Sequence, residues 1–125
     1  NVEYKDMAFL YKDEGGFNFM DQTSYEQVAL SAELLGDAAN YLTENLAVSV
    51  CFFNDRAVGV EMPKSVALKV VQTDPGHKGN TVTNTYKAAT METGFVAQVP
   101  LHIAEGDVLK ISTEDGAYVE RLSYK

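Results

Sequence analysis

The sequence is short of the residues that would tie a fold together covalently or carry reactive chemistry. Cys51 is the only cysteine in 125 residues, so no intrachain disulfide can form, as expected of a chain in a reducing, cytoplasmic compartment. It lies in the run Val48-Ser49-Val50-Cys51-Phe52-Phe53, where a small buried residue is a better reading than a nucleophile. Two histidines and this lone cysteine, well separated, make no metal set. Carboxylates are plentiful, but no spaced pair is joined to a base, and Ser, His and Asp occur without a nucleophile motif. No catalytic residue, metal or cofactor is therefore expected. No apolar run reaches the about 18 residues of a membrane span, and no signal-peptide pattern opens the chain.

Cations are scarce as well, and unevenly so. Residues 1–64 hold four Lys or Arg against eleven Asp or Glu, a balance of −7, whereas residues 65–125 hold six against seven, a balance of −1. A first half this acidic argues against general phosphate-backbone binding, which depends on Lys and Arg displacing counterions. It suits either a basic protein surface or simple solubility.

What is present is a folding composition, 46% hydrophobic and 10% aromatic, arranged mostly in alternation. Residues 4–20 read as a hairpin turning at Asp13-Glu14-Gly15-Gly16, with Phe9 and Tyr11 on one face and Ala8 and Leu10 on the other. A third strand is expected over 25–30. Ser31 can cap a helical turn that Gly36 ends, Asp37 can cap a second helix carrying Ala38, Tyr41 and Leu42, and Asn45 can close it in the left-handed conformation. The run 46–53 is apolar enough to be buried on both faces, and Asn54-Asp55 turns it into 57–61. Five strands with a helical segment between the third and fourth suit a small OB-type barrel.

Pro63-Lys64 marks a boundary between domains at 1–64 and 65–125. The second begins with a strand over 66–73, its Val66, Leu68 and Val70 facing inward. A polar loop follows, Asp74-Pro75-Gly76-His77-Lys78-Gly79-Asn80-Thr81, of the kind that carries binding residues. A short strand near 87–91 and an alternating one over 95–103 come next, and Pro100, which has no N–H, calls for an edge or a bulge. Ala104-Glu105-Gly106 turns into 107–113, and Glu114-Asp115-Gly116 into 117–122. The expected fold is all-β: two consecutive five-stranded OB-type barrels, the first with a short helical segment.

The motifs Asp74-Pro75-Gly76, Gly79-Asn80-Thr81, Lys87-Ala88-Ala89-Thr90, Thr93-Gly94, Val99-Pro100-Leu101 and Glu105-Gly106-Asp107 resemble, in type and spacing, those of the bacterial elongation factor P family. Asn80 stands where the family has Asp, Ala88 where it has Pro, and Asn84, Thr85 and Tyr86 where it has glycines. The resemblance covers the whole chain but only the family's second and third domains. The first domain, whose usually modified lysine reaches the peptidyl-transferase centre, is expected to be missing; the start at Asn1 fits a processed or truncated product.

The resemblance implies a tRNA-shaped factor that binds the ribosome between the peptidyl-tRNA and exit sites and relieves stalling at consecutive prolines. Its partners would be peptidyl-tRNA, exit-site messenger RNA and ribosomal proteins near the exit site, with no membrane; a monomer is expected. It further implies that Gly79, Asn80 and Thr81 approach the messenger codon and that Tyr118 and Arg121 touch the peptidyl-tRNA, with Lys78 and Lys87 as secondary phosphate contacts. Asn80 would offer donors as well as acceptors, without a charge opposing phosphate. Alternatively it simply permits a turn. Tyr118 and Arg121 are three apart, which strict alternation puts on opposite faces; a twist or the strand end must reconcile them, and Arg121 taken alone would be an ordinary solvated residue. Two other functions fit the same barrels: a single-strand nucleic-acid-binding OB module, or an acidic protein-interaction module.

Overall fold

A computed structural model describes residues 2–75 and 85–123. The chain forms two compact units, Asn1–Pro63 and Lys64–Lys125. Each holds one five-stranded antiparallel sheet.

In the first unit, β1 (Val2–Asp13), β2 (Gly16–Asp21) and β3 (Gln27–Leu30) lead to α1 (Ala32–Leu35) and a 3-10 helix (Gly36–Tyr41), followed by β4 (Ala47–Phe53) and β5 (Arg56–Glu61). The sheet order is β3-β2-β1-β4-β5. Ser31 caps α1 as its sequence foretold, accepting the Leu34 N–H at 3.1 Å. Gly36 leaves the helix at φ 56°. The 3-10 helix begins at that same residue with no side-chain cap, so Asp37 does not start a second helix. Asn45 does adopt positive φ, and its N–H donates to the Phe9 carbonyl at 2.7 Å.

Three further readings change. Phe9 and Tyr11 do not share a face, because the β1–β2 register shifts between them: Phe9 goes into the core and Tyr11 into solvent. A bulge adds one residue to one strand and so resets the phase of alternation. β4 is not buried on both sides; Val48, Val50 and Phe52 face the core, Cys51 is half-buried and Phe53 exposed. The third strand starts only at Gln27, because Tyr25 sits in a turn at φ 65°. The Asn54-Asp55 turn behaves as expected, both residues at positive φ.

That third-strand turn is built on Asp21, a buried carboxylate whose Oδ1 accepts the N–H groups of Thr23 (2.7 Å) and Ser24 (3.1 Å). The backbone hydrogen bond from Thr23, then that from Ser24, hold its carboxyl below the ordinary 3.8, outweighing the opposing effect of burial. A folded pKa below the unfolded one contributes stability that is present above the unfolded value and lost as pH falls through the folded value. Urea resistance of this unit is therefore expected to decline as pH falls below about 4. Asp21→Asn, whose amide oxygen can still accept both bonds, should flatten that decline in urea titrations at stepped pH. An unchanged acid profile in the variant would place the loss elsewhere.

The second unit repeats the strand order without repeating the sequence. β6 (Ser65–Thr73), β7 (Tyr86–Met91), β8 (Val96–Pro100), β9 (Val108–Ser112) and β10 (Tyr118–Ser123) lie in the order β10-β9-β6-β7-β8. In both units, then, the first strand is central and pairs with the second and the fourth. Leu68, Val70, Met91, Val99, Ile103, Leu109 and Ile111 are fully buried, each apolar side chain contributing about 1.5–3 kcal/mol. β8 ends at Pro100 rather than running on to Ile103, and it is an edge strand. Pro100 thus costs the sheet no hydrogen bond on its open side.

The Glu105-Gly106-Asp107 motif owes its residue types to bonds that run to β6. Glu105 Oε2 accepts the Thr73 N–H at 3.3 Å, the Gly106 N–H donates to the Val70 carbonyl, and the Val70 N–H donates to the Asp107 carbonyl. Gly106 makes the approach at φ 95°. Among the described residues no helix is long and apolar enough to cross a membrane.

Candidate nucleic-acid interface

Of the residues expected to meet RNA, Lys78, Gly79, Asn80 and Thr81 lie outside the described residues. Lys87, Tyr118 and Arg121 lie within them, all in the second unit.

The conflict between spacing and shared function at Tyr118 and Arg121 disappears at a β-bulge. Tyr118 pairs with Ile111 and Arg121 with Leu109, with a register shift between Tyr118 and Glu120. Ile111 and Leu109 both point into the core. Tyr118 and Arg121 therefore lie on the same side of β10, while Val119, the extra residue, is exposed. Glu120 belongs to the opposite side, where it meets Lys110 of β9 at 3.9 Å. An exposed pair of this kind contributes little to stability.

Arg121 is not an ordinary solvated residue. Its Nη1 lies 3.5 Å from Asp107 Oδ2, and its side chain is 25% exposed against 5% for that of Asp107. The same Oδ2 accepts the Ala104 N–H at 2.9 Å. A carboxylate taken this far out of water needs both a cation and hydrogen bonds, and Asp107 has them. Nothing periodic in the sequence signals the pair, because its members are 14 residues apart on a turn and a strand.

Lys87 has a structural task too. It sits in β7 opposite Val99, and its ammonium donates to the Asp74 carbonyl. Beside it, Thr73 donates its hydroxyl to the Ala88 carbonyl at 2.8 Å. The two bonds join the end of β6 to the start of β7 on either side of residues 76–84.

A groove of about 520 Å³ opens next to Tyr118, lined also by Tyr86, Phe95, Gln98 and Asp115. Tyr86, which the sequence comparison marked only as a replaced glycine, is one of its walls and is 58% exposed. Among the described residues its lining carries no Lys or Arg. It suits a flat, uncharged group better than a phosphate.

In the first unit, two of the few cations are taken up by rings: Lys5 Nζ lies 4.9 Å from the centre of the Phe52 ring and Lys12 Nζ 5.3 Å from that of Phe17. Tyr4 lies opposite Cys51 across the β1–β4 pairing, and hydrogen bonding toward Cys51, with the negative charge of Glu61 adding to it, holds the Tyr4 phenol above its ordinary 10.0. Among the described residues no cluster of three or more His, Cys, Asp or Glu could hold a metal ion.

Known proteins match both units. Residues 2–60 match the family model described as the elongation factor P OB domain, and residues 66–121 the one described as elongation factor P, C-terminal. The chain is 59% identical over all 125 of its residues to elongation factor P of Bdellovibrio bacteriovorus, covering 66% of that protein. It is 46% identical over 122 residues, 98% of its length, to that of Wolinella succinogenes, covering 65%. With that of Symbiobacterium thermophilum it shares 46% over 121 residues, 97% of its length, again covering 65%. The chain thus spans just under two thirds of the length of these relatives.

Proposed function

The chain belongs to the elongation factor P family, and we propose that these residues are the docking arm of a translation elongation factor, working in the cytoplasm as a monomer and without catalysis. Contacts far from the chemistry would hold a separate lysine-bearing tip at the peptidyl-transferase centre, so that stalls at consecutive prolines are relieved by positioning. The arm would contribute part of the tRNA-like form of the whole factor. Its partners would be the peptidyl-tRNA, exit-site messenger RNA and ribosomal proteins near the exit site.

The observation that carries this reading is the bulge in β10, which puts Tyr118 and Arg121 on one side of a strand in the unit that matches the C-terminal family model. Arg suits phosphate and Tyr can stack or donate a hydrogen bond. The sequence Lys78-Gly79-Asn80-Thr81 would meet the messenger through backbone amides and hydroxyl rather than through bulk charge, with Lys87 as a further phosphate contact near its present carbonyl partner.

The test is pelleting with ribosomes that carry peptidyl-tRNA and an empty exit site. Residues 1–125 supplied alone should co-pellet, and Tyr118→Ala should weaken that association by about tenfold if the ring stacks on a base. The same polypeptide should fail to stimulate synthesis through a proline run. Restored synthesis would overturn the division of labour, and loss of the association to excess arbitrary single-stranded RNA would favour a general RNA-binding module. That second reading is disfavoured by the charge of −7 over residues 1–64, the half in which Lys5 and Lys12 sit over rings.

A further inference from the structure

We propose that Asp107 is a positioning residue for RNA contact: it fixes the guanidinium of Arg121 on the Tyr118 side of β10. The proposal rests on the reading that Arg121 meets RNA.

An arginine at the end of a surface strand ordinarily samples many rotamers, and ordering it on contact costs about 2 kcal/mol. Here the side chain is held in advance. Nη1 lies 3.5 Å from Asp107 Oδ2, and that oxygen is itself fixed by the Ala104 N–H at 2.9 Å. The Asp107 backbone is pinned in turn, since its carbonyl accepts the Val70 N–H and its neighbour Gly106 donates to the Val70 carbonyl, both at 2.9 Å. The Asp107 residue is 3% exposed, so the carboxylate presents almost no negative surface to an approaching phosphate. The planar guanidinium has five N–H donors in a fixed fork, and holding one nitrogen sets the plane of the rest. Central β6 is thereby linked through Asp107 to Arg121, and the bulge at Val119 brings Tyr118 onto the same side. Asp107 would act through this orientation, without touching RNA.

The opposing view is that Asp107 merely neutralises Arg121, and the two views differ in sign. Binding of the full chain to ribosomes bearing peptidyl-tRNA is measured over a salt series for wild type, Asp107→Asn, Arg121→Gln and the double variant. Arg121→Gln keeps an amide that can donate to Asp107 but loses the charge; it should bind more weakly, with the log–log salt slope reduced by about one. If positioning is the role, Asp107→Asn also weakens binding, by about fivefold, and adds nothing in the Arg121→Gln background. Tighter or unchanged binding by Asp107→Asn would overturn the proposal, as would equal weakening by Asp107→Asn in both backgrounds. Wild-type binding and slope in Arg121→Gln would instead remove the RNA role of Arg121 itself, and the proposal with it. Should Asp107→Asn fail to fold, Arg121→Lys decides the matter. A lysine keeps the charge but not the fork, so binding as weak as that of Arg121→Gln supports positioning, and wild-type binding overturns it.

Discussion

Phe19→Ala is expected to remove most of the stability of the first unit while leaving the strands of the second protected. Phe19 is fully buried at the centre of β2, paired with Phe9 of β1 and Val28 of β3. Its ring stands edge-on to Phe9 with centroids 5.4 Å apart. Truncating a buried Phe costs about 3–5 kcal/mol, with about 0.5–1.5 kcal/mol more for an aromatic pair of this geometry. A unit of 63 residues has only about 3–9 kcal/mol at ordinary stability per residue. The hole also has few ways to collapse, because β1 and β3 hold β2 from both sides. Amide exchange read by mass spectrometry should show residues 7–9, 17–20 and 48–52 losing protection, with 66–70 and 108–112 unchanged. Wild-type protection of β1 and β2 in the variant would mean that the core does not depend on this ring.

Gly16→Ala is the second large effect, and here the damage is to backbone rather than to packing. Gly16 opens β2 at φ 123°, and a Cβ built on it would lie 2.6 Å from the Leu30 carbonyl oxygen. The conformation costs an L-residue about 1–3 kcal/mol and the overlap a similar amount, since neither backbone can yield without opening the β2–β3 pairing. Leu30 is itself a core residue and precedes the Ser31 cap of α1, so the displacement should reach the helix. Gly15→Ala is the control. Its Cβ would meet only the Asp13 carboxylate at 3.3 Å, an exposed side chain that can swing away at the cost of the hydrogen bond its Oδ1 accepts from the Gly15 N–H. We expect a loss of about 3 kcal/mol for Gly16→Ala and under about 1 kcal/mol for Gly15→Ala in urea unfolding. Losses under about 1 kcal/mol for both variants would show that the turn tolerates a side chain at either position.

Strands and turns were legible because each rests on a local rule. Val66, Leu68 and Val70 alternate into the core as their spacing requires, and Asn54-Asp55 takes the positive φ pair that those residues permit. Bulges were not legible. The extra residue at Leu10 or Val119 has no distinctive type, and only the partner strand reveals that two residues stand against one. The same blindness hid the Asp107–Arg121 pair, whose members are brought together by β9 and the turn before it, and the bond from Lys87 to the Asp74 carbonyl. Pairing across a sheet is set by register, which is a property of two segments together. The candidate interface was therefore legible as a list of residues but not as an arrangement.

The central place of the first strand in each sheet has a consequence for how the protein comes to be folded. Val2 stands opposite Phe53 in one unit and Ser65 opposite Ser112 in the other. The contacts that seal each sheet thus span most of its own length, and closing so long a loop precedes any reward from the contacts it brings. On a ribosome adding about 5–20 residues per second, the apolar side of β1 would wait about 2–8 s for β4 to follow it out. During that interval Met7 and Phe9 have only the open-edged β1–β2–β3 meander and the short helical segment to shelter them. The protein passes through this unsheltered interval twice in its own synthesis, and each time the wait ends with a fourth strand.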